Sequence, residues 1–384
     1  MTKKATHSKQ YTVSGQTLFL AFELGASEWK LGMSVGLGQK ARRRTMPARN
    51  LEKLEDEIRA AKKRFRLSEN ASVVSCYEAG RDGFWLHRYL EKSGIRNLIV
   101  DSSSIEVNRK ARRAKTDQLD VQKLLTMLIR YEYGERKVWS VVRVPSAEEE
   151  DRRQLHRELR TLNKEKNRAT NRIRGLLASQ GIRLPSVMDL SDRGLGTIRL
   201  WDGAKPPAGL VGRLKREWEH VLFLKRQIHA LEVQRRSELK QPENPGVQKV
   251  KQLARLCGIG PHGGWVLVQE FFGWRKFQNG KEVGSLAGLT PTPYQSGASS
   301  REQGISKAGN RYIRGIVIEL AWSWLRYQPD SKLSKWYFKR FADAGLRARK
   351  VGIVALARRL LIDLWRFIET GVTPEGAQLK AAVK

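Results

Sequence analysis

The first 145 residues alternate strand-length and helix-length apolar patterns in one particular order, and this order restricts the fold more than any other feature. Three strand-length runs separated by short turns come first, and helices and strands then alternate. In chain order the pattern predicts strands over 17–23, 29–35 and 42–48, a helix over 51–66, a strand over 72–78, a helix over 84–92, a strand over 97–101 and a helix over 117–133. We therefore predict a mixed α/β domain over residues 1–145.

Three strands followed by alternating helices and strands is the order of the ribonuclease-H-like fold. The next region, residues 146–240, has two long charged helices with narrow apolar seams, over 146–180 and 210–239. Such seams favour an antiparallel helical hairpin or an intermolecular coiled coil. A Pro/Gly-rich break over 241–246 then leads into a third predicted domain, residues 247–384, which we expect to be helical with irregular loops.

The charge balance indicates a polyanionic partner. The chain has 73 Lys and Arg residues against 39 Asp and Glu, a formal net charge of +34. Such an excess favours a phosphate backbone, and the ordered apolar pattern favours nucleic acid over a membrane surface. Two cysteines, Cys76 and Cys257, exclude a disulfide framework and a four-cysteine zinc site. Without a signal-peptide pattern or an apolar run of membrane length, we expect a cytosolic protein.

Four carboxylates stand out by their context. Glu23 and Glu78 each end an apolar strand, and Asp117 and Asp120 begin a helix, where a spacing of three places them on one face. Carboxylates gathered at one sheet edge suit Mg²⁺ or Mn²⁺, and paired metals can clamp both oxygens of a reacting phosphodiester. Taken singly, each has a structural alternative: Asp117 as a helix cap, Asp120 as a solvated residue, Glu78 as a partner of an arginine. Together they predict a metal site.

Two dense basic runs are candidate nucleic-acid contacts, and the second directly precedes Asp117. Positive charge beside a carboxylate cluster can lead a phosphate backbone to bound metal, although solvated loops often carry such runs. The candidate residues are Arg42, Arg43, Arg44, Arg109, Lys110, Arg112, Arg113 and Lys115.

The C-terminal region has three short motifs. The run Gly258-Ile-Gly260-Pro is similar to the hairpin of a helix-hairpin-helix element, in which glycines let backbone N–H groups approach a phosphate, but an ordinary turn has the same composition. Ser296 lies in a predicted Gly/Pro-rich loop and is, by composition alone, one loop serine among several. Further candidates for nucleic-acid binding follow it: Lys307, Asn310 and Arg311.

The order of these motifs from about residue 17 to 330 resembles the DEDD transposases of the insertion-sequence 110 type, also known as bridge-RNA-guided recombinases. Each motif is short, but their number, order and spacing carry the resemblance. They are Ala21-Phe-Glu-Leu, Tyr77-Glu-Ala-Gly, Lys115-Thr-Asp-Gln-Leu-Asp, Gly258-Ile-Gly-Pro, Leu286-Ala-Gly-Leu-Thr-Pro, Gln295-Ser-Gly and Ser306-Lys-Ala-Gly-Asn-Arg.

The resemblance implies a RuvC-like ribonuclease-H-fold domain, a coiled-coil insertion and a helical transposase domain. It also implies that Glu23, Glu78, Asp117 and Asp120 form an acidic tetrad. Ser296 would be the nucleophile, attacking a DNA phosphate to form a 5′-phosphoserine. The first tetrad position is commonly Asp in the family, whereas this chain has Glu23, whose extra methylene shifts a bound metal unless the strand adjusts.

The resemblance further implies a dimer or tetramer, in which metal held by one protomer assists the serine of another. A structured non-coding RNA would pair with donor and target DNA, so that base pairing selects the sequence. Two alternatives stay open: a metal-dependent junction nuclease that cleaves with activated water, and a non-catalytic RNA-binding protein derived from a transposase.

Overall fold

The computed structural model describes residues 17–80, 83–105, 117–184, 187, 190, 192–241, 243–296 and 299–380. For residues 103, 117–119, 192–193, 294–296 and 299–303 it describes the backbone alone. The chain divides into two compact units, residues 1–144 and 145–384. The prediction of three domains stays a prediction. Among the described residues, no helix has the length and apolar character needed to cross a membrane.

A five-stranded mixed sheet forms the centre of the first unit, in the order β3-β2-β1-β4-β5. β1, β2 and β3 pair antiparallel, whereas β1, β4 and β5 pair parallel. The predicted mixed α/β class is confirmed. The elements are β1 (Thr17–Leu24), β2 (Glu28–Ser34), β3 (Arg42–Pro47), α1 (Leu51–Arg64), β4 (Ser72–Glu78), α2 (Trp85–Lys92), β5 (Arg96–Val100) and α3 (Asp117–Glu132).

Different helices cover the two faces of this sheet. Successive residues of a strand point to opposite faces, so alternate residues of β1 contact different helices. Leu18, Leu20 and Phe22 of β1 belong to the apolar core that includes α1 and α2. Phe19 and Ala21 belong to a second core built with α3. Both faces of β1 are therefore covered, which explains its continuous apolar run.

Long helices form the start of the second unit. α4 (Ala147–Ala178) begins with a capping box in which Ser146 and Glu149 satisfy each other's backbone N–H groups. α5 (Asp192–Thr197) is short, and α6 (Ala208–Glu238) packs along α4. The two long helices run antiparallel, since Arg172 bonds Glu217 while His156 and Arg235 line one cavity further along. The antiparallel hairpin is thus observed, while the coiled coil stays a prediction.

The remaining helices share one large apolar core. Its helices include α8, which is followed by a π-helical turn, Val268–Phe272. The elements are α7 (Pro245–Ala254), α8 (Pro261–Leu267), α9 (Gly280–Leu286), β6 (Pro291–Ser296), β7 (Ser299–Ile305), α10 (Arg311–Tyr327), α11 (Lys332–Phe341) and α12 (Leu346–Thr370).

The expectation of an irregular loop around Ser296 is wrong, because β6 and β7 form an antiparallel hairpin there. Prolines are tolerated in a two-stranded hairpin, where strand edges need no inward N–H donor. The register shifts between Pro291 and Pro293, which is the irregularity that such residues produce. Their presence is also why the segment has no strand-like sequence pattern.

Candidate active site

Two of the four predicted carboxylates end neighbouring parallel strands. In the β1–β4 register the last paired residues are Phe22 and Tyr77, and Glu23 and Glu78 follow them directly. Because side chains alternate along a strand, Glu23 continues the α3-facing row of Ala21. Glu78 likewise continues the row of Cys76, which belongs to the same core. The two glutamates therefore occupy adjacent positions on the α3 side of one sheet edge.

The N-terminal end of α3 lies toward this edge. A Cβ added to Gly32 would lie 2.5 Å from Val121 Cγ1, and Gly32 pairs with Ala21 of β1. One helical turn later the Cys76 thiol donates to the Leu124 carbonyl oxygen at 3.9 Å. The C-terminal end of α3 lies toward the opposite sheet edge, because Glu132 bonds Arg96 at the start of β5 and Tyr133 contacts Phe19. The first turn of α3 includes Asp117 and Asp120. It therefore lies near the sheet edge at which β1 and β4 end.

The described side chains do not by themselves form a metal site. Glu23 and Asp120 are partly buried and Glu78 is exposed. Among the described residues, no three His, Cys, Asp or Glu side chains are close enough together to hold a metal ion. The Asp117 side chain lies outside the described part. The backbone places Glu23 beside Glu78, and the tetrad and its metal-binding role stay a prediction.

The three arginines of the first basic run lie on β3, and their side chains point to opposite faces of the sheet. Arg42 and Arg44 face α1, where the Arg42 guanidinium bonds Glu57 and the Arg44 Nε lies 3.6 Å from the same carboxylate. Arg43 pairs with Gly32 and so points to the α3 side. With Lys30, the register partner of Glu23, it lines a cleft of about 270 Å³. Of the three arginines, Arg43 is therefore the one placed on the side of the carboxylates.

The second basic run cannot be placed. Its five candidate residues, Arg109, Lys110, Arg112, Arg113 and Lys115, all lie outside the described residues.

Ser296 is the last residue of β6 and pairs with Ser299 across the hairpin. Residues 297 and 298, which connect the two strands, lie outside the described part. The backbone therefore places Ser296 at the end of the hairpin remote from the helices that it joins. The hairpin itself was missed by the sequence analysis.

Close backbone packing holds the base of this hairpin. Gly288 and Gly309 both have positive φ angles, of 69° and 111°. A Cβ at Gly288 would lie 2.3 Å from the Ala308 carbonyl oxygen, and one at Gly309 would lie 2.3 Å from that of Leu286. Neither position can accept a side chain without a backbone shift. Lys307 lies between them, exposed and with a φ of 56°.

The predicted helix-hairpin-helix glycines lie in the turn between α7 and α8. Gly258 has a φ of 83°, and its carbonyl oxygen accepts a hydrogen bond from the Ser323 hydroxyl of α10 at 2.7 Å. Gly260 is the N-cap of α8, and a Cβ there would meet open space. Gly258 thus has a packing role, and DNA binding by either glycine stays a prediction.

A buried carboxylate that the sequence analysis missed lies within the core of the second unit. Glu270, in the π-helical turn, is fully buried. His156 Nε2 donates to it at 2.7 Å, and Arg157 donates through Nε and Nη2 at 2.6 and 2.9 Å. Asn310 Nδ2 donates at 2.9 Å, while its Oδ1 accepts from the backbone N–H of Tyr312. Asn310, predicted to bind nucleic acid, therefore uses both sides of its amide inside the protein.

These donors keep Glu270 ionised. Burial alone would raise its pKa, but the hydrogen bonds from His156 and Arg157, the Arg157 charge and the Asn310 bond together lower it from 4.5 to about 2. A single acidic residue within the apolar run 265–272 is the same kind of signal that singled out Glu23, so it could have been noticed. Its partners could not, because they lie 40 to 114 residues away.

Proteins similar to this chain are transposases. A putative transposase of Sinorhizobium fredii, y4rJ, is 39% identical over 380 residues, which cover 94% of each chain. The transposase of insertion sequence IS1328 from Yersinia enterocolitica is 28% identical, covering 47% of this chain and 53% of its own. A probable family 20 transposase of Pseudomonas aeruginosa is 27% identical, covering 59% and 65%. The protein is therefore a transposase, an enzyme that cleaves and rejoins DNA.

Its family follows from the same comparisons. Residues 250–335 match the model of the transposase IS116/IS110/IS902 family. With the full-length similarity to the Sinorhizobium protein, this shows that the chain belongs to the IS116/IS110/IS902 family of transposases. The family resemblance inferred from the sequence motifs is confirmed at this level.

Proposed function

We propose that the chain moves an insertion sequence by serine attack on DNA, with Ser296 as the nucleophile and Glu23, Glu78, Asp117 and Asp120 as metal ligands. In this proposal the first unit is a ribonuclease-H-like, RuvC-like domain, consistent with its strand order and mixed pairing. The observation that carries the proposal is the placement of Glu23 and Glu78 side by side on the α3 side of one sheet edge.

The donor chemistry of that edge suits a hard divalent cation such as Mg²⁺ or Mn²⁺, which prefers carboxylate oxygens. Because the described carboxylates are not gathered into a metal-binding group, the proposal requires them to converge, with Asp117, when the cation binds. A bound cation would offset the negative charge that develops on the phosphate. Arg43 and Lys30 would hold the neighbouring phosphate backbone in the cleft that they line.

The covalent step belongs to Ser296. Its Oγ forms a bond to phosphorus while the bond from phosphorus to the 3′ oxygen breaks. The serine proton ends on that oxygen, leaving a 5′-phosphoserine and a free 3′-hydroxyl. The later attack of another 3′-hydroxyl on the phosphoserine rejoins the strands and restores the serine.

We further propose that the working form is a dimer or tetramer, and that a structured non-coding RNA pairs with both DNA partners. The net charge of +34 supports binding to a large amount of nucleic acid backbone. The motifs resemble those of RNA-guided recombinases, which supports selection of the DNA sequence by base pairing with the RNA.

A trapped adduct tests the serine mechanism. Denaturing a reaction on a plasmid carrying the whole element should leave DNA covalently attached to the wild-type protein and to a Ser299→Ala control, because Ser299 lies on the facing strand. Ser296→Ala should give no adduct and no strand exchange, and Asp117→Ala should abolish both.

The alternatives give different results. Metal-dependent cleavage without any adduct would indicate a junction nuclease that uses water. Salt-sensitive RNA binding without DNA breakage would indicate a non-catalytic protein. Full strand exchange by Ser296→Ala would refute the serine mechanism.

A further inference from the structure

A cavity in the second unit has no role in the chemistry proposed above. It lies among α4, α6, α8 and α10 and has a volume of about 490 Å³. This size is within the range of about 300–1,000 Å³ that is common for small-ligand pockets. One wall is apolar, formed by Leu159, Val266 and Ile316.

The polar lining offers both donors and acceptors. His262 Nδ1 accepts a hydrogen bond from Arg235 Nη1 at 2.8 Å, and because arginine only donates, the proton of the neutral His262 ring is on Nε2. Burial and the Arg235 charge lower the pKa of His262, which favours that neutral form. Glu232 and Glu319 supply acceptors, and the buried His156 Nδ1 has no hydrogen-bond partner among the described residues.

A glycine preserves the space. Gly315 lines the cavity from the second turn of α10, and a Cβ at this position would meet nothing within 4 Å. Glycine inside a helix costs about 1 kcal/mol relative to alanine. Packing within the protein does not require it at this position, and its lack of a side chain leaves the cavity open.

Arginines and an aromatic ring lie beside the mouth of the cavity, and Arg160 and Arg311 are the ones placed to meet a phosphate because Arg157 is bonded to Glu270. The guanidinium carbons of Arg157, Arg160 and Arg311 lie 4.9, 5.0 and 5.1 Å from the centroid of the Tyr312 ring. Tyr312 and Arg160 also line the cavity. The arginines at the rim suit the anionic backbone of a ligand, and the donors and acceptors inside the cavity suit a flat group that forms hydrogen bonds.

We propose that the cavity takes one unpaired base of a nucleic acid strand whose phosphates lie against the arginine rim. This inference rests on the proposed function only in requiring a nucleic acid partner. A phosphate inside the cavity would meet the carboxylates of Glu232 and Glu319, whereas a base edge carries donors that these carboxylates accept. The apolar wall and Tyr312 cover the base faces, as in proteins that hold bases taken out of a helix.

Filling the cavity from Gly315 tests the proposal. Gly315→Leu is compared with Gly175→Leu, since Gly175 is an exposed glycine of α4 with equally open surroundings outside the cavity. The probes are short RNA and DNA homopolymers and a fully paired duplex, with dissociation constants measured at one salt concentration. Gly315→Leu should lose affinity roughly tenfold or more for at least one homopolymer, as expected when a single stacked base is lost. Its duplex affinity should match that of the control.

The RNA and DNA arms identify which strand supplies the base. Equal binding of every homopolymer by the two variants would overturn the proposal. So would an equal loss for single strands and duplex, because that indicates a general electrostatic or folding effect.

If Gly315→Leu lacks a cooperative melting transition, Arg160→Gln takes its place, with Arg168→Gln of the same helix as its control. Both arginines are exposed, but only Arg160 lines the cavity. A loss confined to single strands in Arg160→Gln supports the proposal, and matched losses in the two variants overturn it. Either outcome leaves the adduct test of Ser296 unaffected.

Discussion

The buried ion pair of Glu270 gives a quantitative prediction. Replacing Glu270 by Gln keeps the shape but removes the charge that His156, Arg157 and Asn310 share. The amide also turns one acceptor into a donor, so that at least one of these three donors loses its partner. Arg157, whose side chain is 29% exposed, would then be left beside an uncharged group.

The magnitude follows from the pKa of Glu270. A pKa of about 2, against 4.5 ordinarily, corresponds to about 3 kcal/mol of stability, since each pKa unit is worth about 1.4 kcal/mol. Removing one partner of a buried ion pair costs about 3–5 kcal/mol, which agrees. For a unit of this size, that lowers the melting temperature by roughly 10 °C.

The chain has a matched control. Glu217 receives a similar two-pronged bond from Arg172, with both distances at 2.8 Å, but the Arg172 side chain is 51% exposed. An exposed pair contributes about 0–1 kcal/mol, so Glu217→Gln should shift melting by a few degrees at most. Calorimetry of the two variants and the wild type at pH 7 measures the melting-temperature shifts, and their difference shows how much burial adds to the stability contributed by the ion pair. Equal shifts would refute the reasoning.

Acidification gives a second readout of the same variant. Because the folded-state pKa of Glu270 lies below its ordinary value, its contribution is complete above pH 4.5 and is lost as the pH falls through about 2. The wild type should therefore lose its advantage over Glu270→Gln progressively below pH 4.5. An advantage that persists unchanged toward pH 2 would show that packing, and not charge, accounts for it.

Two further predictions concern the first unit. Gly32→Ala should destabilise it by about 1–3 kcal/mol, because the new Cβ would lie 2.5 Å from Val121 Cγ1, and an unchanged melting curve would contradict this. Arg43→Gln should lower the slope of log affinity against log salt for duplex DNA by about 0.9, as for one lost phosphate contact. Arg42→Gln should leave it unchanged because Arg42 bonds Glu57 and is not one of the residues that line the cleft, and equal slopes in the two variants would count against the assignment.

Sequence periodicity was sufficient to identify β1 and β4 because these strands are buried on both faces. β1 and β4 are continuous apolar runs that end in a glutamate, and this contrast identified both the strands and the candidate ligands. The register that brings Glu23 beside Glu78 needs parallel pairing between strands about 50 residues apart, which no local pattern specifies. The order of strands and helices was therefore predictable from the sequence, whereas the placement of Glu23 beside Glu78 was only an expectation.

The basic run on β3 shows a different limit. Read as composition, Arg42, Arg43 and Arg44 are equivalent cations. Strand alternation sends the first and third to Glu57 on α1 and the second to the opposite face. The alternation was available from the sequence, but the acidic partner on another element was not. Local charge density therefore overstates the number of residues that face a ligand.

The position of Ser296 depends on contacts that are remote in sequence. The base of the β6–β7 hairpin is set by backbone bonds such as that from the Asn310 N–H to the Leu286 carbonyl oxygen at 2.9 Å. Asn310 is in turn held by Glu270, which depends on Arg157 of α4. A chain of hydrogen bonds thus connects the interior of the helical unit to the strand pair that presents the serine. Since each step joins different elements, composition around Ser296 could not distinguish it from the neighbouring serines, and only the resemblance to a family did.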